Sequence, residues 1–160
     1  MDIRLRPLRD EEFSVFHELL LHEYARGLVD DAGMDRTAAD EKAAADLTSL
    51  FPQTTAEPNH RIYFLEEEES GRTAGYVFWA ALRPPGSQET RAYLYELFVD
   101  EAFRRKGLGL RALELLEADV RDRGLPGIDL NVWGGNAAAR SLYRQAGFAE
   151  RAVFMTKELA

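Results

Sequence analysis

The apolar residues near the start of the chain alternate first as in a strand and then recur as in a helix. Residues 3–5 alternate with arginines, which predicts a short first strand. Residues 10–24 and 37–50 predict two helices, with Asp10 and Thr37 as candidate N-caps. The second helix is rich in alanine. The apolar stripe of the first consists of Phe13, Phe16, Leu20 and Tyr24.

The spacing changes to that of a sheet after the second helix. Residues 61–67 and 75–82 are separated by a short polar turn that contains Gly71, so they predict an antiparallel hairpin. Residues 92–99 are aromatic and β-branched, and they predict the next strand. These three segments therefore predict a run of consecutive antiparallel strands in the middle of the chain.

The last third of the chain alternates helices with strands. A leucine-rich stripe after Gly109 predicts a helix, and residues 128–133 predict a strand. A further helix begins at Asn136 as N-cap and ends at Gly147, and residues 151–159 predict a last strand. Because a single helix connects the strands at 92–99 and 128–133, these two are expected to be parallel. The sequence thus predicts an α/β fold with a mixed sheet, in one domain over residues 1–160.

Composition removes several classes of function. The chain has no cysteine, so disulfides, thiolate nucleophiles and zinc–thiolate sites are excluded. Its net charge of −8 argues against nucleic acid as a partner and is compatible with a cationic one. No apolar run approaches about 18 residues, and the first residues lack the apolar core of a signal peptide. We therefore expect a cytoplasmic protein without a membrane partner.

One carboxylate stands in the apolar strand at 92–99. Glu96 is a candidate general base, and the alternative is a solvated residue that points away from any site. Strict alternation would place Glu96 on the face of Leu94 and Phe98, opposite Tyr95 and Leu97. That placement does not choose between the two interpretations.

A basic turn that contains glycine follows this strand and leads into a helix. Such a turn combines backbone N–H groups, the positive end of the helix dipole and cationic side chains, so residues 104–109 predict a phosphate site. Residues 107–112 also match the GxGxxA pattern of dinucleotide-binding folds, with Asp129 as the ribose carboxylate. Against that alternative, the turn does not follow its strand directly, and Asp129 lies at the start of its strand instead of the end.

Two motifs together resemble one known family. The first is Arg104-x-x-Gly107-x-Gly109, which looks like the acetyl-CoA pyrophosphate loop of the GNAT superfamily of N-acetyltransferases. The second, from Asn136 to Phe148, resembles the second signature of that superfamily. The order of elements fits along the whole chain. The resemblance implies a GNAT-type sheet, mixed but mostly antiparallel, with helices on both faces.

The resemblance also implies where acetyl-CoA would bind as the acetyl donor. The backbone of one strand segment would hold the pantetheine, the turn would hold the pyrophosphate, and three basic side chains would lie near the phosphates. Asn136 would cap its helix, contact CoA, or do both. The implied CoA-binding residues are Leu97, Phe98, Val99, Arg104, Arg105, Lys106, Gly107, Leu108, Gly109 and Asn136.

The implied catalytic residues are Glu96 as general base, through water, and Tyr143 as the acid that protonates the departing thiolate. By spacing alone, Tyr143 could equally be a core aromatic. His60, Tyr24 and Phe51 are weaker candidates for an acceptor pocket, with packing as the alternative. The chain's histidines do not share a helix face as a metal pair would, so no metal site is expected.

These features predict an N-acetyltransferase that transfers an acetyl group from acetyl-CoA to a primary amine by direct attack in a ternary complex. The absence of cysteine excludes a thiol-borne acyl-enzyme. The acceptor is left open as a small amine, an amino acid, an antibiotic or a protein terminus. The alternative is a CoA-binding sensor or assembly module without turnover. Dimers are frequent in the superfamily, so the resemblance is also compatible with a homodimer.

Overall fold

The predicted hairpin forms the middle of a five-stranded sheet. The computed structural model describes residues 1–160, and the strand order is β1-β2-β3-β4-β5. The first four strands are mutually antiparallel, and β5 is parallel to β4. The sheet is therefore mixed and mostly antiparallel, as expected. The strands are β1 (Ile3–Pro7), β2 (His60–Glu67), β3 (Thr73–Leu82), β4 (Arg91–Val99) and β5 (Ile128–Asp129).

Four helices cover the two faces of the sheet. The first two helices pack on one face of the sheet and the last two on the other, and each pair contacts the sheet through a separate apolar cluster. Short 3-10 turns precede the first and third helices, at Asp10–Glu12 and Glu101–Phe103. The single-domain α/β prediction is thus confirmed. The helices are α1 (Phe13–Asp30), α2 (Arg36–Leu50), α3 (Leu108–Asp122) and α4 (Ala137–Gln145).

The boundaries of the first two helices differ from those predicted. Asp10 lies in the 3-10 turn and does not cap α1, which continues through Gly27 to Asp30. The N-cap of α2 is Asp35 instead of Thr37, because its carboxylate accepts hydrogen bonds from two backbone N–H groups of the first turn. The corrections concern the two N-caps and the end of α1, whereas the apolar stripes lie inside the helices as expected.

The sheet separates two apolar clusters. On one side, Trp79, Leu113 and Leu116 are almost fully buried between the sheet and α3. On the other, Phe16 of α1 makes edge contacts with Tyr76 and Phe78, at ring-centroid distances of 5.4 and 5.8 Å. Burial of this amount of apolar surface on both faces is the main stabilising contribution to the fold.

The end of the chain departs from the prediction. The strand predicted over 128–133 is limited to β5, two residues long. The strand predicted over 151–159 does not form, and those residues are exposed and without regular structure. The physical reason is that a strand requires a neighbouring edge for its backbone, and the segment lies against none in this chain. No helix of the protein has the length and apolar character to cross a membrane.

Candidate active site

The sheet opens between β4 and β5. These strands pair only at Ala92 with Ile128 and at Tyr93 with Asp129. Beyond Tyr93 the edge of β4 that faces β5 has no strand beside it. Leu97, Phe98 and Val99 lie on this free stretch, as the prediction for pantetheine binding requires. The opening thus leaves backbone groups of a central strand accessible to an extended ligand.

The basic turn lies directly after this free edge. Gly107 has a φ of +76° and occupies the N-cap position of α3, and no side chain caps that helix. A left-handed φ of this kind favours glycine over any residue with a Cβ. The first backbone bond into the helix is donated by Arg111 to Gly107, so the N–H groups before it point out of the helix end. They are donors suited to an anion.

The three basic side chains of the turn differ in what they contact. Arg104 donates through Nε to the carbonyl of Val99 at 2.9 Å, and its guanidinium lies 5.7 Å from the centre of the Phe98 ring. Lys106 donates to the carbonyl of Ala102 at 3.3 Å. Arg105 makes no such bond. Arg104 therefore attaches the basic turn to the end of β4, and Lys106 attaches it to the 3-10 turn before it, whereas the side chain of Arg105 makes no hydrogen bond.

One residue of each motif, Gly109 and Asn136, has a visible structural role. A Cβ on Gly109 would lie 2.9 Å from a terminal carbon of Leu142, so a glycine here lets α3 and α4 approach each other. Helix packing is thus one reason for glycine at this position, and the contact of Gly109 with a phosphate stays a prediction. Asn136 caps α4 as predicted, because its side chain accepts the N–H of Ala139 at 3.0 Å.

A β-bulge in β4 determines where Glu96 points. Across the β3–β4 pair, Phe78 is opposite Glu96 and Trp79 is opposite Leu94, so Tyr95 is an extra residue without a partner. Tyr95 stacks on Phe78 with ring centres 4.7 Å apart. Glu96 and Tyr95 are consecutive, yet both lie on the α1–α2 face. The alternation argument was right about Phe98 and Leu97 and wrong about Leu94 and Tyr95, because a bulge breaks the period of two.

Burial controls the charge of Glu96. The pKa of its carboxyl is raised from 4.5 to about 7, mainly by desolvation, with a further raising contribution from the carboxylates of Glu23 and Asp31 and a lowering one from Arg26. A carboxyl with a pKa near 7 exists in both protonation states at neutral pH. This is the property that a general base needs.

Tyr143 of α4 lies within electrostatic range of Glu96. Its pKa is raised well above the ordinary value, first by burial and then by the charge of Glu96. The ring makes an edge contact with Phe148, with centroids 5.6 Å apart. The phenol therefore keeps its proton at neutral pH and can act as a donor. The structure brings Glu96 and Tyr143 to one cavity, on either side of the opening between β4 and β5.

This cavity has a volume of about 1430 Å³. Tyr93, Tyr95 and Asp46 are among the lining residues that sequence reasoning assigned to no site. Asp46 accepts a hydrogen bond from the hydroxyl of Tyr24, the one acceptor-pocket candidate that does line the cavity. The tyrosine-rich sequence of β4 was the signal for Tyr93 and Tyr95. Asp46 had none, because its position depends on how α1 and α2 pack.

The other two acceptor-pocket candidates lie elsewhere. His60 packs between Phe51 and Phe78, with centroid distances of 5.1 Å to each ring, and its Nδ1 accepts the N–H of Glu57 at 3.0 Å. Burial lowers the pKa of His60, which favours the neutral ring. Neither His60 nor Phe51 lines the large cavity. Both have the packing role that was the alternative interpretation.

Two features bear on metal and dinucleotide binding. No group of three or more His, Cys, Asp or Glu side chains is arranged to hold a metal ion. Asp129 is the ribose ligand in the dinucleotide alternative. Its carboxylate forms a bidentate ion pair with Arg91, which donates from Nε at 2.9 Å and from Nη2 at 3.0 Å. Its carboxylate is therefore already engaged at the start of β5.

The mixed sheet thus opens beside a glycine turn, with a carboxyl of raised pKa and a protonated phenol in the cavity at the opening. The chain belongs to the acetyltransferase (GNAT) family, whose sequence model matches residues 17–148. The family prediction made from the two motifs is confirmed.

Individual relatives agree with this assignment. The chain is 30% identical over 159 residues to the uncharacterized N-acetyltransferase YycN of Bacillus subtilis, and the match covers 99% of this chain and all of that one. The crystal structure of YycN from Bacillus subtilis superimposes with a TM-score of 0.88 at 29% identity, covering 99% of each chain. Both the sequence and the fold of the chain are thus similar to YycN from end to end.

Two more distant matches are of different kinds, one a short match in sequence and the other a match in structure. The chain is 40% identical over 62 residues to the ribosomal protein bS18-alanine N-acetyltransferase of Salmonella typhimurium. This match covers 39% of this chain and 42% of that one. A predicted acetyltransferase of Clostridium acetobutylicum, solved with acetyl-CoA, has a TM-score of 0.65 at 15% identity and covers 98% of this chain and 96% of that one. The second match supports the fold alone.

Proposed function

We propose that the protein is an acetyl-CoA-dependent N-acetyltransferase acting on a primary amine by direct transfer in a ternary complex. The observation that carries the proposal is the placement of Glu96 and Tyr143 in one cavity at the opening between β4 and β5. One group has a pKa of about 7 and the other remains protonated. A proton acceptor and a proton donor are the two groups that aminolysis of a thioester needs.

The donor-binding residues fit the parts of CoA. The free N–H groups at the start of α3, from Arg105 through Lys106 and Gly107 to Leu108 and Gly109, suit a pyrophosphate. The exposed side chain of Arg105 is free to contact a phosphate, while Arg104 and Lys106 hold the turn in place. The backbone at 97–99 would bind the pantetheine as an added strand. When bound, acetyl-CoA supplies a thioester that is already activated for attack by an amine.

The chain's own groups then move two protons. The carboxylate of Glu96 accepts a proton from the ammonium form of the acceptor, directly or through water, which leaves a neutral amine able to attack. The carbonyl carbon forms a bond to nitrogen and loses its bond to sulfur, and the phenol of Tyr143 donates a proton to the leaving thiolate. The attacking nitrogen then releases its remaining extra proton, which returns Tyr143 to the phenol form. No side chain carries the acetyl group at any stage, since the chain contains no cysteine.

The proposal also covers the bounds of the domain, the class of acceptor and the location of the enzyme. Residues 1–160 act as one domain, because β1, which precedes the residues matched by the family model, pairs with β2 in the same sheet. The acceptor is a small-molecule or peptide amine and not a nucleic acid, in keeping with the net charge of −8. The bS18-alanine relative makes a peptide amino terminus one acceptor to test. We place the enzyme in the cytoplasm, where its donor is available.

Thermal shift with acetyl-CoA, CoA and NADH tests the donor. A ligand at about 100 times its Kd stabilises the native state by roughly 2.7 kcal/mol, so acetyl-CoA and CoA should raise Tm and NADH should not. Stabilisation by NADH alone would contradict the proposal. The control is Gly107→Val, which forces a side chain into a left-handed turn and should abolish the CoA shift while the protein stays folded.

Release of CoA thiol in the presence of amines tests turnover. Small amines, amino acids and peptides with free amino termini should be screened with saturating acetyl-CoA. Turnover with any of them that disappears in the double variant Glu96→Gln, Tyr143→Phe would support the enzyme. Binding of CoA without turnover by any amine would instead favour a CoA-binding sensor or assembly module.

A further inference from the structure

One wall of the large cavity, built by α1, α2 and β4, combines aromatic rings with carboxyl groups. It is lined by Tyr24, Asp46, Tyr93, Tyr95 and Glu96. The rings of Tyr93 and Tyr95 are in edge contact, with centroids 4.8 Å apart. Burial raises the pKa of Tyr24, and the charges of Asp46 and Glu96 add to that rise, so both carboxyl groups lie within electrostatic range of its phenol. We refer to these five residues as the tyrosine wall.

One carboxylate oxygen of Asp46 has no partner. Its Oδ2 atom accepts hydrogen bonds from the hydroxyl of Tyr24 and, at 2.8 Å, from the ammonium of Lys42, whereas its Oδ1 atom accepts none. Lys42 precedes Asp46 by one turn of α2 and does not line the cavity. An exposed pair at this spacing contributes little free energy, so it can be exchanged for a stronger one. The charge of Asp46 is therefore available to a cationic ligand.

The tyrosine wall contains no cationic side chain of its own. The other lining residues from α1 and α2 are Leu20, Leu47, Ser49 and Leu50, and the arginines of the cavity belong to the start of β4, to α3, to α4 and to the end of the chain. The faces of tyrosine rings attract cations, and carboxylates add to that attraction. Glu96 forms no hydrogen bond or ion pair, although it lies mostly buried in this wall. The wall thus offers two carboxyl groups, both with capacity for a cation.

We propose that the amine acceptor carries a second cationic group, which Asp46 binds against the rings of the tyrosine wall. This inference rests on the proposed function, because it assigns Glu96 to the amine that is acetylated and Asp46 to a second cation on the same molecule. An acceptor with two cationic groups contacts both carboxyl groups at once, whereas a monoamine contacts only one. Diamines and the amides of basic amino acids have this chemistry.

Calorimetry on the CoA-bound protein measures the contribution of the second cation without requiring turnover. Putrescine and butylamine share one carbon chain and differ by one terminal ammonium. We expect putrescine to bind about tenfold more tightly than butylamine. Lysinamide and norleucinamide form a second matched pair, which distinguishes an amino-acid acceptor from a small diamine. A preference for the dication in either pair supports the proposal. Equal affinities in both pairs, or no binding of either dication, would overturn it.

Substitutions on α2 test whether the preference depends on Asp46. Asp46→Asn keeps the shape of the side chain and removes its charge, so the preference for the dication should fall about tenfold. Lys42→Gln removes the competing ammonium and should strengthen the binding of the dication about twofold, a gain that a merely structural role of Asp46 would not give. The matched control is Asp40→Asn, which breaks a pair of the same spacing with Arg36, outside the cavity, and should leave the preference unchanged. A preference that persists in Asp46→Asn would refute the assignment.

Turnover separates a failure of this inference from a failure of the proposed function. Release of CoA thiol from acetyl-CoA is measured with the same four amines. If the monoamines are acetylated with the same kcat/KM as the dications, the enzyme stands and the second-cation site is wrong. If the dications bind with a preference that depends on Asp46 but no amine is acetylated, the site stands and acetyl transfer is wrong.

Discussion

Strand β4 has two edges, and they are used in opposite ways. Its edge toward β3 is paired at eight positions, from Gly75 with Val99 to Leu82 with Arg91. Its edge toward β5 is paired at two. The closed edge holds the strand in place, and the open edge leaves backbone groups for a ligand. One strand can therefore be both rigid and accessible, because each edge has its own set of N–H and C=O groups.

The bulge in β4 connects the two edges. Aromatic pairs cross the closed edge, with Tyr76 stacked on Phe98 at 5.3 Å and Phe78 on Tyr95 at 4.7 Å. The extra residue at the bulge turns both Tyr95 and Glu96 toward the α1–α2 face. A regular strand would send one of the two to the other side, into the apolar cluster under α3. The packing of the closed edge thus determines where Glu96 lies at the open edge.

The largest effect is expected from Gly75→Ala, a substitution that would weaken the pairing of β3 with β4 at the closed edge and so lower the stability of the protein. An added Cβ would lie 1.9 Å from the carbonyl oxygen of Phe98, a backbone atom that cannot move without separating β3 from β4. We expect a loss of about 4 kcal/mol in the free energy of unfolding, or roughly 10 °C in Tm. Thermal unfolding followed by circular dichroism measures it.

The matched control is Gly27→Ala in α1. There the nearest atom to an added Cβ is a carboxylate oxygen of Asp31 at 3.7 Å, an ordinary contact, and alanine is the better helix former by about 1 kcal/mol. Its Tm should stay equal or rise. Similar losses in the two variants would show that Gly75 has no special place in the β3–β4 pair.

The second largest effect is expected at the open edge, from Glu96→Gln. The substitution keeps the shape of the side chain and removes the proton acceptor, so kcat/KM should fall about a hundredfold. The wild-type profile of log kcat/KM against pH should bend near pH 7, where Glu96 titrates, and the variant's should not. An unchanged rate with the bend retained would assign the base to another group.

The same variant should be more stable than the natural protein at high pH. The folded state binds the Glu96 proton with a pKa of about 7, against 4.5 for an unperturbed carboxyl. The natural protein therefore loses stability as pH rises from about 4.5 to 7 and loses no more above that. We expect Glu96→Gln to gain up to roughly 3 kcal/mol at pH 8, an upper bound for a partly exposed group, and almost nothing at pH 4. A gain that is the same at both pH values would rule out the raised pKa.

The main elements and the family motifs were more predictable from sequence than the details that shape the cavity. The hairpin, α3 and α4 follow from apolar periodicity, and the motifs around Gly107 and Asn136 identified the family. The bulge at Tyr95 left no mark in the sequence, since it depends on the register with Phe78. Asp46 enters the cavity only through helix packing. The strand predicted over 151–159 has the right composition, but composition cannot supply a neighbouring edge.

A smaller effect is expected from Tyr143→Phe, across the opening from Glu96. Loss of the proton donor should lower kcat by about ten- to a hundredfold, while calorimetry shows nearly the same affinity for CoA. The control is Tyr63→Phe, which removes a hydroxyl bonded to Asp119 at 2.8 Å, outside the cavity. That variant should lose stability and keep its kcat. If Tyr143→Phe retains full kcat at saturating substrates, Tyr143 is a packing residue.

The smallest effect is expected from Tyr76→Phe, within the closed edge. The hydroxyl of Tyr76 is fully buried and has no hydrogen-bond partner, so it carries a desolvation cost with no compensating bond. Its removal keeps the ring that stacks on Phe98. We expect an equal or higher Tm, by at most about 1 kcal/mol in the free energy of unfolding, and no change in the bend of the pH profile near 7. A clear loss of stability, or a shift of that bend, would mean that this hydroxyl is bonded in solution and that the closed edge takes part in setting the charge of Glu96.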